Sequence, residues 1–149
     1  MRPPQPPNEV QVHYVRPKLA SMPELTSTID AVAILRSFID PKRIDLKEFV
    51  WVILLTYSHH VLGVSEIGMG SLSEVVINKK ELFQLALLSN ASSIILCHNH
   101  PSGSLTPSES DISTTQDIAM FGELIDLKVV DHLIFTSEGH YSFADNGLL

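Results

Sequence analysis

At 149 residues the chain is long enough to bury a core as one domain, and its 44% apolar and 18% charged content is that of a soluble globular protein. The longest apolar run, residues 49–55, is too short to span a bilayer, and a single cysteine excludes an internal disulfide framework. Residues 1–80 hold nine Lys/Arg against eight Asp/Glu, a balance of +1; residues 81–149 hold one against nine, a balance of -8. A nucleic-acid surface needs clustered Lys/Arg, so the acidic second half argues against one.

Residues 1–26 hold six of the nine prolines and predict an extended arm, with residues 27–149 as the folded domain. Val10, Val12, Tyr14 and Leu19 would let the arm lie along the domain as an edge strand. Met1 to Asn8 has no apolar core for a signal peptide, so a cytoplasmic protein is expected. Residues 27–39 read as a helix with Ile29, Val32, Leu35 and Phe38 in its apolar stripe, ended by Asp40-Pro41. Residues 49–57 read as a buried strand, 58–60 as a turn and 61–67 as a second strand. Residues 68–73 read as a loop, and 78–88 as an amphipathic helix burying Leu82, Leu85, Ala86 and Leu88. A short apolar strand follows at 92–97. The next helix is expected to start with Thr106 as N-cap, Pro107 at N1 and Glu109 closing a capping box, and to run to about Leu127. Strands at 129–136 and 141–143 complete an α/β fold with a mixed sheet and helices on its faces.

The chemistry concentrates in the segment His98-Asn-His-Pro-Ser-Gly-Ser-Leu-Thr-Pro-Ser-Glu-Ser-Asp111. In extended backbone, residues two apart point to the same side. His98 and His100 can therefore reach one metal, while Cys97 and Asn99 face away. Ser108 and Asp111, three apart on the following helix, share a face that looks back at the histidines. Two imidazoles and a carboxylate are a zinc donor set that leaves a fourth position for water, whose pKa zinc lowers to roughly 7. Zinc is the expected cofactor, although iron, cobalt or manganese tolerate the same ligands.

Hydrolysis also needs a general base from elsewhere in the fold. Glu48, Glu66, Glu74 and Glu81 are the candidates. Glu48 leads because it opens the strongest strand, with Glu66 second at the other end of the hairpin. The Ser108 hydroxyl is placed to stabilise an oxyanion, or else fills a helix first turn. Asp131-His132 reads first as a buried sheet pair and second as a partner for a metal ligand.

The spacing His98-x-His100, seven residues, Ser108, two residues, Asp111 resembles the JAMM metalloprotease signature. The strings around it, with Asp131-His132 and Tyr141-Ser-Phe, are similar to the RadC-like branch over residues 27 to 149. The resemblance implies an MPN-type, cytidine-deaminase-like α/β fold with zinc on His98, His100 and Asp111. It implies a catalytic glutamate at a strand start upstream of the histidines, which Lys47-Glu48-Phe49 matches. It gives Ser108 the role of supporting the tetrahedral intermediate. A peptide or isopeptide-linked protein is the expected substrate. RadC-like proteins often carry an N-terminal helix-hairpin-helix module with DNA-repair associations, and this chain is too short to hold one. DNA processing and a non-catalytic MPN scaffold are the alternative readings. No membrane partner is expected, and no oligomeric state is specified.

Overall fold

A computed structural model describes residues 11–70 and 77–149. Strand β1, Phe49–Leu55, is buried at every position because both of its faces are covered. Phe49, Trp51, Ile53 and Leu55 point into one core, and Val50, Val52 and Leu54 into a second core across the sheet. Phe49, Trp51 and Phe135 stack as tilted neighbours, with centroids 5.6 and 5.5 Å apart. Each such side chain contributes about 1.5–3 kcal/mol by leaving water.

Among the described residues, five strands form one mixed sheet in the order β2-β1-β3-β4-β5. Strand β2 is Val61–Met69, β3 is Ser93–Asn99, β4 is Lys128–Phe135 and β5 is His140–Ser142. Only the β3–β4 pair is parallel; the others are antiparallel. Helix α1, Thr28–Phe38, covers the Trp51 face through Ala31 and Leu35. Helices α2, Lys79–Leu88, and α3, Glu109–Glu123, cover the opposite face through Leu82, Ala86 and Ile118. The α/β architecture with a mixed sheet is therefore the one expected. Parallel β3 and β4 require a crossover, and α3 is that crossover. The residues joining β3 to α3 consequently lie at the carboxyl end of a central strand.

Several boundaries differ from the sequence reading. No edge strand forms over residues 11–20, where Val12 and Val15 are exposed; Val10 lies outside the described residues. The chain docks later, at buried Met22 and Leu25, with Glu24 bridging His60. In α1 the buried row is Ala31 and Leu35, whereas Ile29 and Phe38 are exposed. Leu88 of α2 is also exposed. Strand β1 stops at Leu55, because Thr56 closes the hairpin turn with His60. Gly68 and Met69 belong to β2 rather than to a loop, since Met69 pairs with Phe49; residues 71–73 of that loop lie outside the described residues. Helix α3 ends early because Ile125 and Leu127 both donate to the Gly122 carbonyl, and Asp126 turns left-handed at φ 55°. A Cβ on Gly122 would run into the Leu127 carbonyl oxygen, which explains a glycine inside this helix. Among the described residues, no helix is long and apolar enough to cross a membrane.

Candidate metal centre

His98 and His100 extend the row that Ile94 and Leu96 begin on the α3 face of β3. Their Nε2 atoms stand 2.9 Å apart. Cys97 and Asn99 occupy the alternate row; Cys97 packs in the Trp51 core, and burial pushes its thiol pKa well up, as befits a non-ligand. Asp111 arrives from across the Pro101–Leu105 loop. Its Oδ1 lies 3.3 Å from His98 Nε2 and its Oδ2 3.5 Å from His100 Nε2.

The local device that aims Asp111 is a helix cap, and it is not the cap expected from Thr106 and Glu109. Ser108 is the N-cap of α3 and Asp111 is its N3 residue. The Ser108 hydroxyl accepts from the Asp111 N–H at 3.1 Å, and Asp111 Oδ2 accepts from the Ser108 N–H at 2.7 Å. Ser108 thus precedes the helix rather than filling its first turn. One carboxylate both closes the capping box and faces the two imidazoles. Ser108 spends a lone pair on the cap, and among the described residues nothing accepts its O–H proton, which can donate into the cleft that Ser108 lines.

Hydrogen bonding sets the tautomer of both histidines. The Thr115 hydroxyl donates to the Asp111 carbonyl at 2.6 Å, so its lone pair receives Nδ1–H of His132 at 2.5 Å. His132 Nε2 is then an acceptor, and Nδ1–H of His98 donates to it at 2.7 Å. His100 donates from Nδ1 to the Ser104 carbonyl at 2.8 Å. Both Nε2 lone pairs therefore converge on each other and on a carboxylate. Such an arrangement repels itself unless a proton or a cation sits between the donors. A tetrahedral zinc with bonds of about 2.0–2.1 Å to N and O separates its ligands by about 3.3–3.4 Å. The separations of 2.9, 3.3 and 3.5 Å bracket that value, so His98, His100 and Asp111 fit a metal ion.

Charge follows the same geometry. Burial opposes ionisation of Asp111, but His100, His98 and Ser108 outweigh it and hold the carboxyl far below the usual carboxylate range. Asp111 in turn raises the His100 pKa, against the effect of burial. His132 is fully buried, and burial first, then the neighbouring His98, holds it neutral, as an acceptor role requires.

Glu48 lies one residue before β1, and Val50 pairs with His98. Glu48 shares the face of Val50, and both line a cleft of about 230 Å³ with His98, His100, Ser108 and Asp111. Its pKa is raised, by burial above all, with His98 and His100 pulling it back. Glu66 is not in this cleft: its two oxygens grip Arg43 at 2.8 and 3.0 Å. Glu81 serves the start of α2, where its N–H is capped by Asn78, and Glu74 lies outside the described residues.

His132 is buried in β4, as first read, but its ring meets a metal-ligand candidate, so the second reading describes it better. Thr115 and Asn99 were missed. A side chain that bonds across strands leaves no spacing signal in its own segment. His132→Ala, by removing the acceptor for His98, is expected to weaken zinc binding about 10- to 100-fold. Competition against a chromophoric chelator measures this; unchanged affinity in a folded variant would overturn the tautomer argument.

A three-layer α/β domain with a His-x-His pair at a strand end and an aspartate in the next helix cap defines a class of candidate metal-binding domains. Residues 25–148 match the family model described as RadC-like JAB domain, and the chain belongs to that family. It is 36% identical over 130 residues to a UPF0758 protein of Flavobacterium johnsoniae, covering 87% of this chain and 56% of that one. A UPF0758 protein of Cupriavidus pinatubonensis is 36% identical over 135 residues, covering 90% and 59%. One from Desulfitobacterium hafniense is 38% identical over 103 residues, covering 69% and 45%. The chain thus spans about half the length of these relatives.

Proposed function

We propose that this domain is a zinc-dependent hydrolase of JAMM type acting on peptide or isopeptide bonds. The observation that carries the reading is the cleft itself, lined both by three converging metal-donor groups and by the partly buried Glu48. A zinc ion held by His98, His100 and Asp111 would supply an activated water and polarise a carbonyl.

The chain's own groups divide the remaining work. Glu48, with its pKa raised by burial, takes a proton at its carboxylate and returns it to the leaving amine. Ser108 offers its O–H to the oxygen on which negative charge develops. His132 and Thr115 keep the His98 lone pair turned toward the metal position. Among the described residues that line the cleft there is no Lys or Arg, which favours an amide over a phosphodiester substrate.

The test is hydrolysis by the zinc-loaded chain of a panel of plain peptides, lysine-isopeptide conjugates and DNA. Cleavage of an amide member that stops with a chelator and returns with zinc supports the reading. A fully zinc-loaded protein that cleaves only DNA, or nothing, would move the function to DNA processing or to a partner-binding scaffold.

A further inference from the structure

Asn99 is fully buried, faces away from the cleft, and makes three hydrogen bonds to backbone fifty or more residues before it in the chain. Its Oδ1 accepts from Phe49 N–H at 2.7 Å. Its Nδ2 donates to the Ile44 carbonyl at 2.5 Å and to the Lys47 carbonyl at 2.8 Å. The three contacts flank Glu48 on both sides. Residues 44–48 belong to no strand, and among the described residues the sheet holds this segment on the other edge through Gly70 N–H donating to the Glu48 carbonyl.

We infer that Asn99 is a positioning residue that locks the segment carrying Glu48 to the strand carrying the histidines, and so sets the distance between base and metal. The inference rests on the hydrolase reading of the cleft. Asn99 sits between His98 and His100, so one strand end delivers two functions by parity. Its neighbours face the metal position, and it grips the opposite element from behind. Only an amide can do this, because the site asks one side chain to accept from an N–H and to donate to two carbonyls. Aspartate loses both donors and leucine loses everything, although each has nearly the same size. A carboxylate on a segment free to shift by an ångström is a poor base, and rigid support of this kind is how active sites hold geometry.

The experiment uses the chain loaded with cobalt(II) and labelled with 13C-glutamate, the Glu48 signal being assigned by its loss in Glu48→Gln. In the parent, the Glu48 carboxyl is displaced by the paramagnetic ion. In Asn99→Leu and Asn99→Asp that displacement should fall several-fold while cobalt affinity stays within about threefold. Ile95→Val, on the same face of the same strand, should keep the parental displacement, because a general loss of packing does not move Glu48 selectively. An unchanged Glu48 displacement in the cobalt-loaded Asn99 variants overturns the inference alone. So does loss of cobalt binding in them, which would place the effect of Asn99 on the ligands. A parent chain that binds no cobalt overturns the hydrolase reading and this inference with it. Should neither variant fold, the parent still decides: slow exchange of the Asn99 side-chain amide protons is expected, and solvent-like exchange overturns the proposal.

Discussion

Asp111→Ala is expected to empty the metal site and to loosen the start of α3 in the same step. The carboxylate is the point where two structures meet, with Oδ2 held by the Ser108 N–H and both oxygens facing imidazole nitrogens. Removing it takes one of three donors from the metal and leaves two imidazoles, which do not hold zinc against a weak chelator. It also removes the N3 half of a capping box, a loss worth on the order of 0.3–1.5 kcal/mol. Elemental analysis of the purified variant should show zinc falling from about one per chain to nearly none, with a melting temperature only modestly lowered. Asp111→Asn separates the two effects: its amide oxygen can still accept from Ser108, so the helix start is kept while the metal is weakened. Full zinc occupancy in the alanine variant would remove Asp111 from the ligand set and the mechanism with it.

Glu48→Gln should abolish turnover without touching the metal. Glutamine has the shape of glutamate and cannot take up a proton, so the loss isolates general-base chemistry, about 10²- to 10⁴-fold in kcat. Zinc stoichiometry and affinity should match the parent, because Glu48 is not among the three converging donors. The paired control is Glu66→Gln. That residue was the runner-up from sequence, and the fold commits it to Arg43 at the sheet edge. Its loss breaks one partly exposed ion pair, worth about 0–1 kcal/mol, and should leave the rate unchanged. Comparable rate losses in both variants would mean that neither is the base and that the effect is structural.

Much of this molecule was legible in the order of its residues. Strand β1 reads out of its unbroken apolar and aromatic run, because a strand covered on both faces needs no polar alternation. The cluster that could hold a metal was legible in His98-x-His100 and Asp111, because strand parity and helix spacing are local properties of the backbone. The helix start was legible in kind but misplaced by two residues. Thr106-Pro107 imitates a cap, whereas the serine that caps is the one whose N3 partner is a carboxylate drawn in by the histidines.

What lies across the sheet was decided by tertiary structure alone. Which glutamate lines the cleft, Glu48 rather than Glu66, depends on strand order and on the Val50–His98 register, and neither is written in the spacing of the glutamates. The partnership of His98, His132 and Thr115 depends on β4 lying parallel beside β3 with α3 laid over both. The grip of Asn99 on residues 44–49 spans half the chain and shows in neither segment. Local sequence determines where a side chain points relative to its own strand, whereas which distant group it meets is set by how strands pair, a matter of the whole core's packing.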